Sequence, residues 1–190
     1  MGRMHIATLA IAIVCAGTAA QADYPDKPLR IVTSEAGGGN DFPARVIARE
    51  LALVLGQQVV VENRPSGVVP GDIVAKASPN GYTLLLYNNA LWIGPLLQKT
   101  PYDAVRDFAP VAAVANAVNV LVVNPALPVK SVAELIELAR SKPSALNYGS
   151  AGAGASNHLA AELFKAMARV EIVRVNYKGA APALTALLAG

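Results

Sequence analysis

The chain contains very little cysteine and histidine, which limits the chemistry that it can perform. Its only cysteine is Cys15, and its two histidines are His5 and His158. A single cysteine forms no intramolecular disulfide, and Val14 before it is wrong for a lipoprotein processing site, so we expect no lipid anchor. A metal cluster built from histidines is excluded, although one histidine could still join carboxylates. We therefore expect no disulfide, no metal and no cofactor.

Aromatic and charged residues are also scarce. Aromatic residues make up 5% of the chain and charged residues 15%, whereas about 25% of the residues in a typical globular protein are charged. The net charge is only +3, and the basic residues are dispersed without forming a run or stripe, which argues against a nucleic-acid partner. After the N-terminal region, no segment approaches the roughly 18 uninterrupted apolar residues of a membrane-spanning helix.

The N-terminal residues have the pattern of an export signal. A short basic stretch from Gly2 to His5 precedes an apolar core from Ile6 to Ala16, and Ala20-Gln21-Ala22 provides the small residues of a cleavage site. The sequence therefore predicts a signal peptide over residues 1–22, cleavage after Ala22 and a periplasmic protein.

The rest of the chain alternates mostly continuous apolar strands with helical patterns. This alternation predicts an α/β fold of doubly wound parallel sheets. We expect a first lobe over residues 23–117, a crossing or hinge over 118–123 and a second lobe over 124–190. The chain ends after a helical pattern with no following strand. We therefore expect an incomplete second lobe, a fragment prone to aggregation or proteolysis and poor carboxylate binding by this product.

Two glycine-rich loops, each between an apolar strand and a helix start, are the main candidates for a binding site. Such loops expose backbone N–H groups where the helix dipole is positive, so each can hold a carboxylate, sulfate or phosphate. Ligands of open α/β sheets bind at the carboxyl ends of the strands, where both loops lie. The candidates are Gly37, Gly38, Gly39, Asn40 and Asp41 in the first loop, and Ser150, Ala151, Gly152, Gly154, Ala155, Ser156 and His158 in the second.

Each candidate also has a plainer interpretation. A glycine run can be an ordinary strand-to-helix turn, Asn40 and Ser156 can be helix N-caps, and His158 can be a first-turn residue. Asn88 and Asn89 follow another strand and could reach a ligand or form a turn, while Lys178 could attract an anion or simply be solvated. Glu35 argues against an anion at the first loop, so we expect it to face solvent or pair with a basic residue.

Known catalytic and nucleotide-binding motifs do not fit the two loops. Gly152-Ala153-Gly154 lacks the third glycine of a dinucleotide fingerprint, and neither loop is followed by a Walker lysine. The run Gly154-Ala155-Ser156-Asn157-His158 lacks the closing glycine of a nucleophile elbow. The sequence therefore predicts a protein without catalytic residues.

Several ordered motifs resemble the substrate-binding proteins of tripartite tricarboxylate transporters, also called the Bug family. They are Tyr24 to Val32, Gly37 to Asp41, Val61 to Pro65, Asn80 to Leu85, Pro101-Tyr102-Asp103, Leu146 to Ser150 and Tyr177-Lys178-Gly179. The resemblance runs from Tyr24 to Gly190. It implies a two-lobed, type II periplasmic binding protein that is a monomer when complete. It also implies capture of a small carboxylated solute for membrane permease subunits, with the carboxylate held by residues 37–41 and 150–156.

The chain differs from the family pattern at two places. Ser34-Glu35-Ala36 replaces a proline-rich stretch, and Ser66 to Pro70 is shorter than a glycine-rich insertion. Members of the family also continue well beyond Gly190. Two other functions compete with solute binding: a ligand-sensing effector domain of a regulator, and a secreted α/β hydrolase.

Overall fold

The structure is a computed structural model and describes residues 24–190. The predicted signal peptide and its cleavage site after Ala22 lie outside the described residues. Strands and helices alternate along most of the described chain, as the sequence predicts. Their bounds are β1 (Leu29–Thr33), α1 (Asp41–Leu55), β2 (Val59–Asn63), α2 (Val69–Ala75), β3 (Thr83–Leu85), α3 (Ala90–Leu97), α4 (Val132–Ser141), β4 (Asn147–Ser150), α5 (Ser156–Ala168), β5 (Val173–Asn176) and α6 (Ala180–Ala189).

The first sheet has three parallel strands in the order β2-β1-β3. Ile31 of the central strand pairs with Val61 on one side and with Leu84 on the other. Helix α1 covers this strand, and Ile31, Ala44 and Ala48 form the buried centre of the first core. The central strand is therefore the most buried element, which explains its unbroken apolar run.

The second sheet consists of the parallel pair β4 and β5. Its core joins α4 and α5 through Ala139, Ala168, Val170 and Ile172. Helix α4 begins after its N-cap residue Ser131, whose hydroxyl accepts the Glu134 N–H over 3.2 Å. The two parallel sheets confirm the predicted α/β class. They lie on either side of the crossing predicted at residues 118–123, and the lobe boundaries themselves stay predictions.

Several local expectations require correction. The sequence predicts a short helix over Asp72–Ala77, but α2 begins at Val69 and ends at Ala75, because Pro70 suits the first turn of a helix. Helix α3 is continuous through Pro95, where the sequence predicts a break. Asn40 precedes α1 without a side-chain cap bond, and its amide donates to the Ser34 hydroxyl instead.

For the segment between the two sheets, the sequence predicts extended stretches over residues 108–114 and 118–123. Neither stretch pairs with a strand in the described part of the chain. Its side chains are largely in contact with solvent: Val111 is 86% exposed and Val118 is 88% exposed. No helix among residues 24–190 is long and apolar enough to cross a membrane.

Ile31→Ala is expected to lower the free energy of unfolding by about 2–4 kcal/mol, because Ile31 is buried and its loss leaves a cavity in the first core. Val60→Ala on the neighbouring strand is the matched control, since Val60 is 47% exposed. Urea titration of both variants measures the difference. Equal effects would contradict the position of β1 at the centre of the sheet.

Candidate functional site

The first glycine loop joins β1 to α1 and is closed by its own hydrogen bonds. The Gly37 N–H donates to the Asp41 carboxylate over 2.9 Å, and the Gly38 N–H donates to a carbonyl of the same loop over 3.2 Å. Gly37 has a φ of +73°, a conformation that favours glycine. Within residues 24–190, no hydrogen bond engages the N–H groups of Gly39 and Asn40. These two groups are the donors that the loop can offer to an anion.

The side chain of Asp41 stabilises this loop through hydrogen bonds. Its side chain is buried, and one carboxylate oxygen accepts the Gly37 N–H and the Arg45 Nε–H, the latter over 3.0 Å. The other oxygen accepts the Asn63 amide over 2.7 Å, and the same amide donates to the Ser34 carbonyl over 2.8 Å. Both carboxylate oxygens of Asp41 are therefore engaged in holding the loop.

The surroundings of Asp41 favour its ionised form. Burial raises the pKa of Asp41, but the hydrogen bonds from Arg45, Gly37 and Asn63 outweigh burial and leave the pKa below the ordinary value of 3.8. The carboxylate is charged at neutral pH. It supports the backbone of the first loop, and the direct ligand contact predicted for Asp41 stays a prediction.

The second glycine loop joins β4 to α5. An arginine that was not among the predicted site residues donates hydrogen bonds to it. Arg174 of β5 donates to the Ser150 hydroxyl over 2.8 Å and to the Ala151 carbonyl over 2.8 Å. It also donates to Asn176 over 3.0 Å. Ser150 is fully buried and Arg174 is half-buried. A lone arginine between Val173 and Val175 in an apolar strand was the signal that could have identified this position.

His158 lies in the first turn of α5, beside the second loop. Its Nδ1 accepts the Gly154 N–H over 3.3 Å, and burial followed by the charge of Arg174 lowers its pKa. Ser156 was expected to cap α5, but Ala155 occupies the cap position and the Ser156 hydroxyl donates to Asn119. Ser156 and His158 thus have different partners, and the geometry gives no support to the hydrolase alternative.

The two lobes contact each other through small residues. A Cβ at Gly152 would lie 3.1 Å from the Gly67 nitrogen, and a Cβ at Gly154 would lie 3.3 Å from the Gly94 nitrogen. The Ser66 N–H also donates to the Lys178 carbonyl over 3.3 Å. The second loop therefore packs directly against the first lobe, and a side chain at either glycine would force the lobes apart.

Glu35 connects the first loop to the second lobe, contrary to the expectation that it faces solvent or pairs with a basic residue. Its carboxylate accepts the Ser66 hydroxyl and the Ala180 N–H at the start of α6, the latter over 3.1 Å. Tyr87 lies alongside and exchanges hydrogen bonds with Gly67. Burial, together with the negative charge of Glu35, raises the pKa of Tyr87. Ser66 and Gly67 thus link the two glycine loops.

The remaining candidates are placed at the edge of this arrangement. Asn88 accepts the Ala90 N–H through its side chain over 3.0 Å, and the Asn89 carbonyl accepts N–H groups of α3. Both asparagines therefore lie immediately before α3 and accept hydrogen bonds from its first residues. The Lys178 side chain is exposed, and only its carbonyl bonds to the first lobe among the described contacts. Ligand contacts of Asn88, Asn89 and Lys178 stay predictions.

Two surface depressions lie away from these residues. One, of about 540 Å³, is lined by Trp92, Pro95 and residues 100–105 and 107, and the other, of about 440 Å³, lies between Arg140 and Glu171. No group of three or more His, Cys, Asp or Glu residues suited to a metal ion occurs within residues 24–190. The donors gathered between the lobes are instead backbone N–H groups and hydroxyls, which suit an anion.

Comparison with known proteins agrees with this geometry. Residues 43–190 match the family described as tripartite tricarboxylate transporter family receptor. Curated relatives are 34–39% identical to the chain. The chain spans only 52–60% of the length of those relatives.

Solved structures are similar over most of the chain. Rpa4515 of R. palustris, solved with adipate, has a TM-score of 0.85 at 40% identity, and the match covers 88% of this chain and 58% of that one. The periplasmic binding protein BugD has a TM-score of 0.77 at 31% identity, with 87% and 57% covered. MatC of Rhodopseudomonas palustris, solved with bound malate, has a TM-score of 0.75 at 28% identity, with 88% and 58% covered. These shared folds confirm the predicted fold class.

Asp41→Asn is expected to lower the free energy of unfolding by about 1–3 kcal/mol near neutral pH, because the amide cannot accept all three hydrogen bonds. The folded-state pKa of Asp41 lies below 3.8, so its stabilisation is present above that value and is lost as the pH falls through the folded-state pKa. The difference between wild type and Asp41→Asn should therefore shrink on acidification.

Denaturant titrations from about pH 5 to about pH 2 measure this convergence. Glu137→Gln, which removes an exposed carboxylate from α4, serves as the control for loss of one negative charge. A difference in the free energy of unfolding between wild type and Asp41→Asn that stays constant across the pH range would contradict this prediction. It would show that the ionised carboxylate of Asp41 does not stabilise the loop.

Proposed function

The chain belongs to the tripartite tricarboxylate transporter receptor family, and from this premise we propose that it captures a small carboxylated solute between its two lobes. The family and its structural neighbour BugD are solute-binding receptors, not enzymes. Neighbours solved with adipate and with malate support a carboxylate as the ligand. A regulator's sensing domain and a secreted hydrolase are not favoured by these similarities.

The observation that carries the proposal is the pairing of two anion-suited loops across one interface. The first loop offers the N–H groups of Gly39 and Asn40, and the second rests on the guanidinium of Arg174. Both loops follow the carboxyl ends of parallel strands and approach helix N-termini, where the backbone favours negative charge. A solute carboxylate at the second loop would lie near the positive charge of Arg174, and the N–H donors of the first loop would face the rest of the solute.

The transport role is also part of the proposal. BugD is described as periplasmic, and the predicted signal peptide supports export of this chain to the same compartment. We propose cleavage after Ala22, delivery of the solute to membrane permease subunits and a monomeric receptor. The lobes then act as a clamp that closes on the solute and releases it to the permease.

Thermal unfolding with a panel of solutes tests the proposed binding. The exported chain is titrated with monocarboxylates, dicarboxylates, tricarboxylates, amino acids and aromatic acids, and the neutral amide of each hit serves as its matched control. A true ligand at about 100 times its Kd stabilises the folded state by about 2.7 kcal/mol, which raises Tm by several degrees. Absence of a shift with every carboxylate, or equal shifts with the amides, would contradict carboxylate capture.

Arg174→Gln is expected to weaken binding of any carboxylate hit by about tenfold, because a charge-assisted contribution of roughly 1.5 kcal/mol is removed. Arg49→Gln is the matched control, since Arg49 is exposed on α1 and, in the described part of the chain, pairs only with Glu50. Calorimetric titration gives both affinities, and far-UV circular dichroism checks that each variant is folded. Unchanged affinity in a folded Arg174→Gln variant would remove Arg174 from the site.

A further inference from the structure

The Glu35 carboxylate lies beside Gly38, one of the residues that the sequence predicts to bind a ligand. Its side chain leaves the β1–α1 loop and reaches the second lobe, where the Ala180 N–H donates to it over 3.1 Å. Ser66 of the first lobe donates its hydroxyl to the other carboxylate oxygen. Glu35 and Ala180 are 145 positions apart in the chain, so this contact joins the two lobes.

The space around the carboxylate is shaped by residues that lack bulk. A Cβ at Gly38 would lie 2.5 Å from Glu35 Oε1, and a Cβ at Gly179 would overlap the Glu35 side chain. Both glycines are buried. The space beside Gly38, which a bound carboxylate would need, is therefore filled by the protein's own carboxylate.

The charge of Glu35 has no basic partner. None of the ion pairs among residues 24–190 includes Glu35, and its partners are a hydroxyl and a backbone N–H. The side chain is half-buried between the lobes, where screening by solvent is weaker than at an exposed surface. A second carboxylate next to it would be repelled, whereas an ammonium or a neutral donor would be attracted.

Arg174 offers the opposite charge at the other loop. It lies beneath Ser150 and Ala151, and the adjoining Gly152 touches Ser66 and Gly67. Ser66 in turn bonds to Glu35. The interface between the lobes therefore carries opposite charges at its two loops. The guanidinium of Arg174 bonds to the second loop, and the carboxylate of Glu35 belongs to the first.

We propose that Glu35 sets the charge of the solute, so that the cleft prefers a monocarboxylate whose far end carries an ammonium or a neutral donor over a dicarboxylate. The inference rests on the proposed function and narrows its ligand class. The solute carboxylate lies at the second loop near Arg174, and its far end faces Glu35. Repulsion at this end lowers the affinity for a dicarboxylate of the same length by about tenfold or more.

Three probes with six carbons each separate the charge states: adipate, hexanoate and 6-aminohexanoate. Their affinities are measured by calorimetric titration with the wild type, Glu35→Gln and Ser66→Ala. Glu50→Gln is the matched control, because Glu50 lies in the same lobe but is exposed and, within residues 24–190, pairs only with Arg49. Circular dichroism establishes that each variant is folded, and Glu35→Gln preserves the shape of the side chain.

The wild type is expected to bind 6-aminohexanoate most tightly and adipate most weakly. Glu35→Gln should raise the affinity for adipate by about tenfold, lower that for 6-aminohexanoate and change that for hexanoate by less than about threefold. Ser66→Ala, which keeps the charge, should preserve the wild-type order, as should Glu50→Gln. If hexanoate binds and Glu35→Gln leaves the ratio of the adipate affinity to the hexanoate affinity unchanged, the inference is overturned. The proposed function then stays intact. Failure of every probe and of the wider solute panel to bind would contradict the proposed function and the inference together.

Discussion

Parallel pairing of the strands is the constraint on which the site depends. Because β1 lies between β2 and β3 and pairs in parallel with both, their following loops emerge at the same edge of the sheet. The β4–β5 pair does the same in the second lobe. Each lobe therefore presents a helix N-terminus and its free N–H groups at one edge, and closure brings the two edges together.

The loops keep their shape because charged side chains support them from inside the protein. Asp41 ties the first loop to α1 and to Asn63 at the end of β2. Arg174 ties the second loop to β5. These two residues have opposite charges, and each forms hydrogen bonds with backbone and side-chain groups that hold its loop. These hydrogen bonds restrain loops whose glycines would otherwise leave the backbone flexible.

The sequence identified the elements and the two loops but not what holds them in place. Strand runs such as Leu29–Thr33 and the glycine runs are local signals. So is Gly56, which follows the last residue of α1 with a φ of +62°. The roles of Asp41 and Arg174 depend on contacts with Asn63 and Ser150, which are distant in sequence. Glu35 was expected to face solvent or pair with a basic residue. Its partner Ala180 is 145 positions away, at the start of a helix in the other lobe, and no local pattern indicates that contact.

The central claim is that a carboxylate binds between the two glycine loops, and amide hydrogen exchange tests it most directly. A saturating carboxylate should slow exchange within residues 37–41 and 150–156 by at least about tenfold, since their N–H groups become hydrogen bonded or enclosed. The segment over residues 100–107 lines the larger surface depression and should be unaffected. Protection at residues 100–107 with no change at either glycine loop would contradict the account.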